Sequence, residues 1–133
     1  MSDTEIPKTV WPCLVYADAR AAATFLVDVL GFELRCAYPP EGESVAHAEA
    51  RWPEGGGVMF GSADREESAF SQQPVGGSSV YVVTDDPHPI LARCEAAGVR
   101  VVKPMTVEDF GSTGFSVADP EGNLWSFGTY RGE

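Results

Sequence analysis

The fold is decided by a stretch that begins Val15-Tyr16-Ala17-Asp18 and, after an alanine-rich segment, ends Leu30-Gly31-Phe32. A second stretch follows the same order: it begins Val82-Val83-Thr84-Asp85 and ends Ala97-Gly98-Val99. The aspartates of the two stretches are 67 residues apart (85 − 18), and so are the two glycines (98 − 31). An equal offset at two landmarks indicates a duplicated structural unit.

Each stretch predicts a strand followed by a helix. An aspartate stands where its carboxylate can accept an N–H of the first helical turn, and Gly31 and Gly98 stand where a left-handed residue ends a helix. Apolar residues recur at helical spacing between these two points. Further strand-like segments follow each helix, at residues 32–38, 45–52 and 57–61 in the first half and 99–103, 114–118 and 124–130 in the second. Each half therefore reads βαβββ.

We predict one α+β domain made of a first module at residues 10–61, a linker at 62–78 and a second module at 79–130. A four-stranded sheet with one helix can cover only one of its faces, so the other face must curl around a ligand, a sheet or another chain. Two such modules side by side predict a curved mixed sheet with the helices outside and a central cavity inside.

Composition excludes several classes of protein. The chain has 133 residues, of which 44% are hydrophobic, and a net charge of −11. Nucleic-acid binding draws on clustered basic residues, so we expect no nucleic-acid partner. The apolar runs are far shorter than the roughly 20 residues that span a bilayer, and the acidic N-terminus has no signal-peptide pattern, so we expect no membrane partner. Cys13, Cys36 and Cys94 form no CxxC pair, which predicts reduced thiols in a cytoplasmic protein, with Cys36 and Cys94 in the core.

Two parts of the chain resemble a known superfamily. The first module opens with Leu14-Val15-Tyr16-Ala17-Asp18 and continues as residues 25–32, which resembles the opening of the vicinal oxygen chelate superfamily. Its members include glyoxalase I, extradiol dioxygenases and bleomycin-resistance proteins. The second half is similar more specifically, through Ala96-Ala97-Gly98-Val99 and then Asp119-Pro120-Glu121-Gly122-Asn123-Leu124-Trp125. The resemblance covers residues 10–130 and implies paired βαβββ modules around a cupped cavity, and a homodimer.

The resemblance also implies four positions for metal ligands. Enzymes of this superfamily hold one divalent ion with His, Glu or Gln side chains from four strands, and these positions fall here on Trp11, Met59, Ser79 and Ser126. None of the four is a good donor for a divalent ion. The two histidines of the chain, His47 and His88, lie outside the first, fourth, fifth and last strand segments. We therefore expect no metal and no other cofactor.

Period-2 alternation sorts the strand residues into two faces. If the four chelate positions face inward, Cys13 and Tyr81 join them, while Trp125 and Phe127 pack under the helices. The alanines at 46, 48 and 50 are predicted to face the core, which leaves His47, Glu49 and Arg51 toward the groove. Residues 106–112 show no strand pattern and are predicted to form a mobile lip. The predicted ligand-binding residues are Trp11, His47, Met59, Tyr81, Phe110 and Ser126.

His47 and Glu49 allow two interpretations. As a pair they resemble a general base oriented by a carboxylate. Together with Arg51 they resemble a hydrogen-bonded set on a partly solvated sheet face. His88 stands between two prolines at a helix start, where it is expected to serve helix capping at the surface.

Three functions follow from these observations. The first is a metal-free binding protein of the glyoxalase/bleomycin-resistance type, which sequesters an aromatic or cationic compound such as an antibiotic. The second is a lyase, isomerase or dioxygenase-like enzyme of the same superfamily. Such an enzyme would use either metal ligands other than the four positions above or the pair of His47 and Glu49. The third is a dimer subunit that binds no ligand of its own.

Overall fold

The first module contains four strands and one helix. In the computed structural model, which describes residues 9–63 and 65–133, the elements are β1 (Cys13–Tyr16), α1 (Ala19–Phe25), β2 (Glu33–Tyr38), β3 (His47–Arg51) and β4 (Gly57–Ser62). Helix α1 continues as a π-helical turn at Leu26–Leu30. It begins where the Ala21 N–H donates to Asp18 Oδ1 at 3.0 Å, and it ends at Gly31, whose φ is 97°. The predicted start and end of this helix are confirmed.

The second module has the same order: β5 (Ser79–Val83), α2 (His88–Ala96), β6 (Arg100–Val107), β7 (Thr113–Ala118) and β8 (Leu124–Gly128). The α+β fold of two βαβββ modules is confirmed. Strand β6 extends four residues beyond the predicted end at residue 103, across two register shifts against β7 that interrupt simple alternation. Half of the predicted lip at residues 106–112 therefore has another structure at its start, since Thr106 and Val107 belong to β6.

The two sheets have equivalent topologies. Their strand orders are β1-β4-β3-β2 and β5-β8-β7-β6, and in each sheet the first strand runs parallel to the last strand of its own module. The remaining neighbours are antiparallel. The same order in both sheets is what a duplicated unit should produce. The strands form two separate four-stranded sheets rather than one continuous sheet.

One core lies between the modules. Phe32 of the first module packs against Trp125 of the second with ring centroids 5.6 Å apart, and Trp52 packs against Phe127 at 5.7 Å. Trp125 and Phe127 are fully buried, as predicted. Ala48 and Ala50 are fully buried too, but Ala46 is exposed, because strand β3 begins only at His47 and the predicted alternation does not extend to the preceding residue.

Asp119 fastens the last turn of the chain to the first strand. This buried carboxylate accepts the Tyr16 hydroxyl at 2.8 Å, the Trp125 indole N–H at 3.1 Å and the Asn123 side-chain amide at 3.1 Å on one oxygen. Its other oxygen accepts the backbone N–H groups of Glu121 and Asn123 at 2.9 and 3.0 Å. Buried carboxylates need such donors to offset lost hydration. The turn therefore also joins the two modules.

No helix within residues 9–63 and 65–133 combines the length and the apolar character needed to cross a membrane.

Candidate functional site

A cavity of about 390 Å³ lies beside the first sheet, on the side turned away from the core. We call this side the groove face; it carries the alternate residues Cys13, Val15, His47, Glu49 and Met59. Strands β1, β3 and β4 supply the floor of the cavity, and the segment between the modules supplies a wall. The floor residues include Cys13, Val15, His47, Met59 and Gly61, and the wall includes Arg65, Ser68, Phe70, Ser71 and Pro74.

Ser71 holds this wall in shape. Its side chain is 3% exposed, and its hydroxyl accepts the Arg65 N–H at 2.9 Å. The same oxygen lies 2.6 Å from the Arg65 carbonyl and 2.9 Å from the Ser68 carbonyl, to which it can donate. The Arg65 guanidinium pairs with Glu67 at 2.7 Å. The polar segment that the sequence indicates only as a linker is therefore folded over the cavity.

The structure brings together two of the six predicted ligand-binding residues. His47 and Met59 both line the cavity. Trp11 lies next to it, half-buried against Gly57, where an added Cβ would come within 2.9 Å of the indole ring. Any side chain at residue 57 would collide with this ring and with the Ala50 carbonyl, which explains why a glycine is needed there.

The other three predicted residues lie on the second module and do not line this cavity. Tyr81 is 48% exposed, and its hydroxyl donates to the Tyr130 carbonyl at 2.8 Å. Phe110 is 70% exposed and packs edge-on against the Tyr130 ring at 5.6 Å. Ser126 lies 2.7 Å from Ser116, oxygen to oxygen. These residues form an open aromatic and hydroxyl surface on the second sheet.

The four chelate positions do not suit a metal ion. Trp11 offers only an N–H donor, Met59 a thioether, and Ser79 and Ser126 neutral hydroxyls, of which the Ser126 oxygen already bonds Ser116. Two of the positions belong to the first sheet and two to the second, and the cavity described above contains Met59 alone of the four. The donor set and its distribution therefore do not fit the four-ligand centre that the resemblance implies.

His47 and Glu49 form a pair on the groove face. Their side chains are 44% and 31% exposed, and His47 Nε2 lies 2.7 Å from Glu49 Oε2. Arg51 does not join them, because its guanidinium pairs with Glu33 at 3.1 Å, one strand away. The carboxylate can orient the imidazole, as in the first interpretation of the sequence. His88 instead lies at the surface, 2.9 Å from Asp86 at the start of α2, as predicted.

Cys36 corrects the prediction that it lies in the core. A bulge between Leu34 and Cys36 inserts Arg35 as an extra residue, so Cys36 pairs with Glu49 instead of Ala48. The bulge turns the half-buried Cys36 side chain onto the groove face. Nothing in the sequence signals a bulge at Arg35. Cys94 is buried in the core as predicted, and burial raises the pKa of its thiol to about 11, which makes it a poor nucleophile.

Comparisons with known proteins agree with this architecture. Residues 8–127 match the Glyoxalase/Bleomycin resistance protein/Dioxygenase superfamily. The chain is similar to TioX from Micromonospora sp. ML1, with 30% identity, a TM-score of 0.73, and coverage of 90% of this chain and 98% of that one. It also shares its fold with a lactoylglutathione lyase from Agrobacterium tumefaciens, at 21% identity and a TM-score of 0.68, with coverage of 93% and 95%. A third structure of this fold, the oxidase ChaP-H2, has 18% identity and a TM-score of 0.66, with coverage of 96% and 95%. No curated protein matches the chain.

Proposed function

Because the chain belongs to the glyoxalase/bleomycin resistance protein/dioxygenase superfamily, we propose that it binds a small organic molecule in the cavity beside its first sheet, with no ion at the four chelate positions. The observation that carries this proposal is the cavity itself. Its volume of about 390 Å³ is in the range of small-molecule pockets, and thioether, aromatic and aliphatic groups line most of it.

The lining favours an aromatic ligand. Phe70 and Met59 offer polarizable contact area, and His47 and Arg65 can stack on a planar ring. The net charge of −11 attracts cations from a distance, but none of the described lining residues carries a carboxylate that would bind a cation directly. An aromatic compound, charged or neutral, therefore suits the cavity better than an aliphatic cation, and an antibiotic with planar rings is one such compound.

A second copy of the chain completes the site in this proposal. The cavity is open on one side, and the aromatic surface of the second sheet, with Tyr81 and Phe110, does not reach it within one chain. In a homodimer the partner copy would bring that surface over the groove face and cover exposed apolar side chains in the process. The three unpaired cysteines of the chain suit the reducing cytoplasm, where we place the protein.

A thermal-shift screen with matched cavity variants tests the proposal. The compounds are neutral planar aromatics, cationic planar aromatics such as acridines, and aliphatic amines. A ligand held at 100 times its dissociation constant should stabilise the fold by about 2.7 kcal/mol. Ala46→Trp places a large ring in the cavity from an exposed position and should abolish the shift, whereas Ala92→Trp, on the exposed side of α2, should leave it unchanged. The proposal is wrong if no aromatic compound stabilises the protein or if both variants respond alike.

An enzyme is the second candidate, and the hydrogen bond between His47 and Glu49 at the cavity favours it. His47 would act as a general base that Glu49 orients. His47→Ala should then abolish turnover of a bound compound while ligand binding is partly retained. A bound compound that the unmodified protein leaves chemically unchanged excludes this candidate for that compound.

A further inference from the structure

A group of three metal-binding side chains lies on the groove face, away from the four chelate positions. The bulge at Arg35 places Cys36 directly opposite Glu49, and His47 lies two residues before Glu49 on the same side of β3. Cys36 Sγ, a ring nitrogen of His47 and a carboxylate oxygen of Glu49 all lie within 4.8 Å of one another. We infer that Cys36, His47 and Glu49 form a binding site for a zinc ion.

The chemistry of the three donors selects this kind of ion. Thiolate and imidazole are ligands of zinc and similar transition metals, whereas Mg²⁺ and Ca²⁺ require oxygen ligands. Zinc bonds are about 2.0 to 2.3 Å long, so the donors around a tetrahedral ion lie roughly 3.3 to 3.8 Å apart. Separations up to 4.8 Å are closed by small rotations, and the three side chains are only half-buried, which leaves them room to rotate.

The local geometry also supplies an open coordination position. Three protein ligands leave a fourth position for water or another small ligand, as in zinc sites that bind exchangeable molecules. His47 belongs to the metal-binding group and also lines the cavity, so the fourth position lies at the edge of the cavity. The ion would replace the proton that His47 Nε2 and Glu49 Oε2 now share at 2.7 Å. This site departs from the expectation from the sequence that the chain binds no metal, and it does not depend on the organic ligand proposed above.

Cobalt titration of the untagged protein tests the site. Co²⁺ replaces zinc and gives a near-ultraviolet charge-transfer band only when a thiolate is bound to it. We expect one Co²⁺ per chain with this band, and displacement of cobalt by an equimolar amount of Zn²⁺. Mg²⁺ should not displace it.

Matched variants assign the ligands. Cys36→Ser should remove the band and lower zinc affinity by at least about 100-fold, since loss of even an outer hydrogen-bonding partner costs 10- to 100-fold. His47→Ala and Glu49→Gln should each weaken zinc binding. Cys13→Ser removes the other accessible thiol, and His88→Ala removes the other imidazole; both should bind zinc as the unmodified protein does. Circular dichroism of each variant shows whether it is folded.

The inference is overturned if cobalt gives no thiolate band, or if folded Cys36→Ser binds zinc as tightly as the unmodified protein. Equal losses in Cys13→Ser and Cys36→Ser would also overturn it. Because the readout is metal binding alone, failure here leaves the aromatic-ligand proposal standing, and failure of the compound screen leaves the zinc site standing.

Discussion

Glu54 and Glu121 lie 67 residues apart (121 − 54) and make the same contact in opposite directions. Glu121, in the second module, accepts the N–H groups of Ala17 and Asp18 of the first module at 2.6 and 2.9 Å. Glu54, in the first module, accepts the Thr84 hydroxyl at 2.7 Å and the Asp85 N–H at 2.8 Å in the second. The offset found in the sequence thus also relates the contacts between the modules.

Removing either carboxylate should loosen the junction between the modules. Glu121→Ala leaves two backbone N–H groups without their acceptor and should lower the free energy of unfolding by about 1 to 2 kcal/mol. Glu54→Ala should cost at least as much, because Thr84 is buried and water cannot easily replace the lost acceptor. Urea denaturation measures both. Glu95→Ala, at an exposed site of α2 where the described structure shows no side-chain hydrogen bond, is the control, and an equal loss there would contradict the prediction.

Alkaline pH should destabilise the protein through Tyr16 and Cys94. Burial, and next the Asp119 carboxylate, raise the pKa of Tyr16 well above 10.0, and burial raises the pKa of Cys94 from 9.0 to about 11. Below pH 9 these groups hold their protons in both the folded and the unfolded chain. Above that pH the unfolded chain releases protons that the folded chain retains, so stability falls as pH rises.

Tyr16→Phe separates the two contributions. The variant should lose about 1 to 2 kcal/mol at neutral pH, because Asp119 loses one of its donors. Above about pH 10 its stability should fall less steeply than that of the unmodified protein, while the decline that begins near pH 9 through Cys94 remains. Urea midpoints between pH 7 and 11 measure both effects. Tyr38→Phe, at an exposed tyrosine, should follow the unmodified profile; a flattened profile there would refute the assignment.

Ser71→Ala should weaken binding in the cavity without unfolding the protein. The hydroxyl holds the wall at Arg65 and Ser68, and its loss removes contacts worth about 1 kcal/mol, which corresponds to roughly fivefold in affinity. Isothermal titration with an aromatic compound from the screen measures the change. Ser112→Ala, outside the cavity, should bind as the unmodified protein does. Unchanged affinity in Ser71→Ala would show that the wall does not contact the ligand.

Phe110→Asp should shift the proposed homodimer toward monomers. Phe110 is exposed on the aromatic surface of the second sheet, and a carboxylate there would have to lose its hydration in a covered interface. Light scattering after gel filtration should give twice 14.2 kDa for the unmodified protein and less for the variant. Phe110→Leu keeps an apolar side chain and should remain dimeric. A monomeric unmodified protein would remove the basis for a site completed by a second copy.

The order of elements could be predicted because each module has strong local signals. Asp18, Gly31 and Gly98 mark helix ends by side-chain chemistry and by backbone conformation, and both are visible in single residues. The buried faces of β5 and β8 followed from simple alternation, which places Val82, Trp125 and Phe127 in the core.

The site was harder to predict because it depends on long-range contacts and a register shift. Cys36 reaches the groove face only through the bulge at Arg35, which no pattern in the sequence marks. Ser71 holds a wall through backbone groups that any polar segment would possess. Asp119 looked like an ordinary turn residue, although in the fold it gathers donors from both modules.

The reciprocal bonds of Glu54 and Glu121 bear on how such a chain could arise. Each half satisfies the backbone of the other half with an equivalent side chain from an equivalent turn. An ancestral polypeptide of half this length could have made both bonds by associating with an identical molecule. Gene duplication and fusion would then have inherited a junction that already existed, and each copy would have been free to acquire different surface residues.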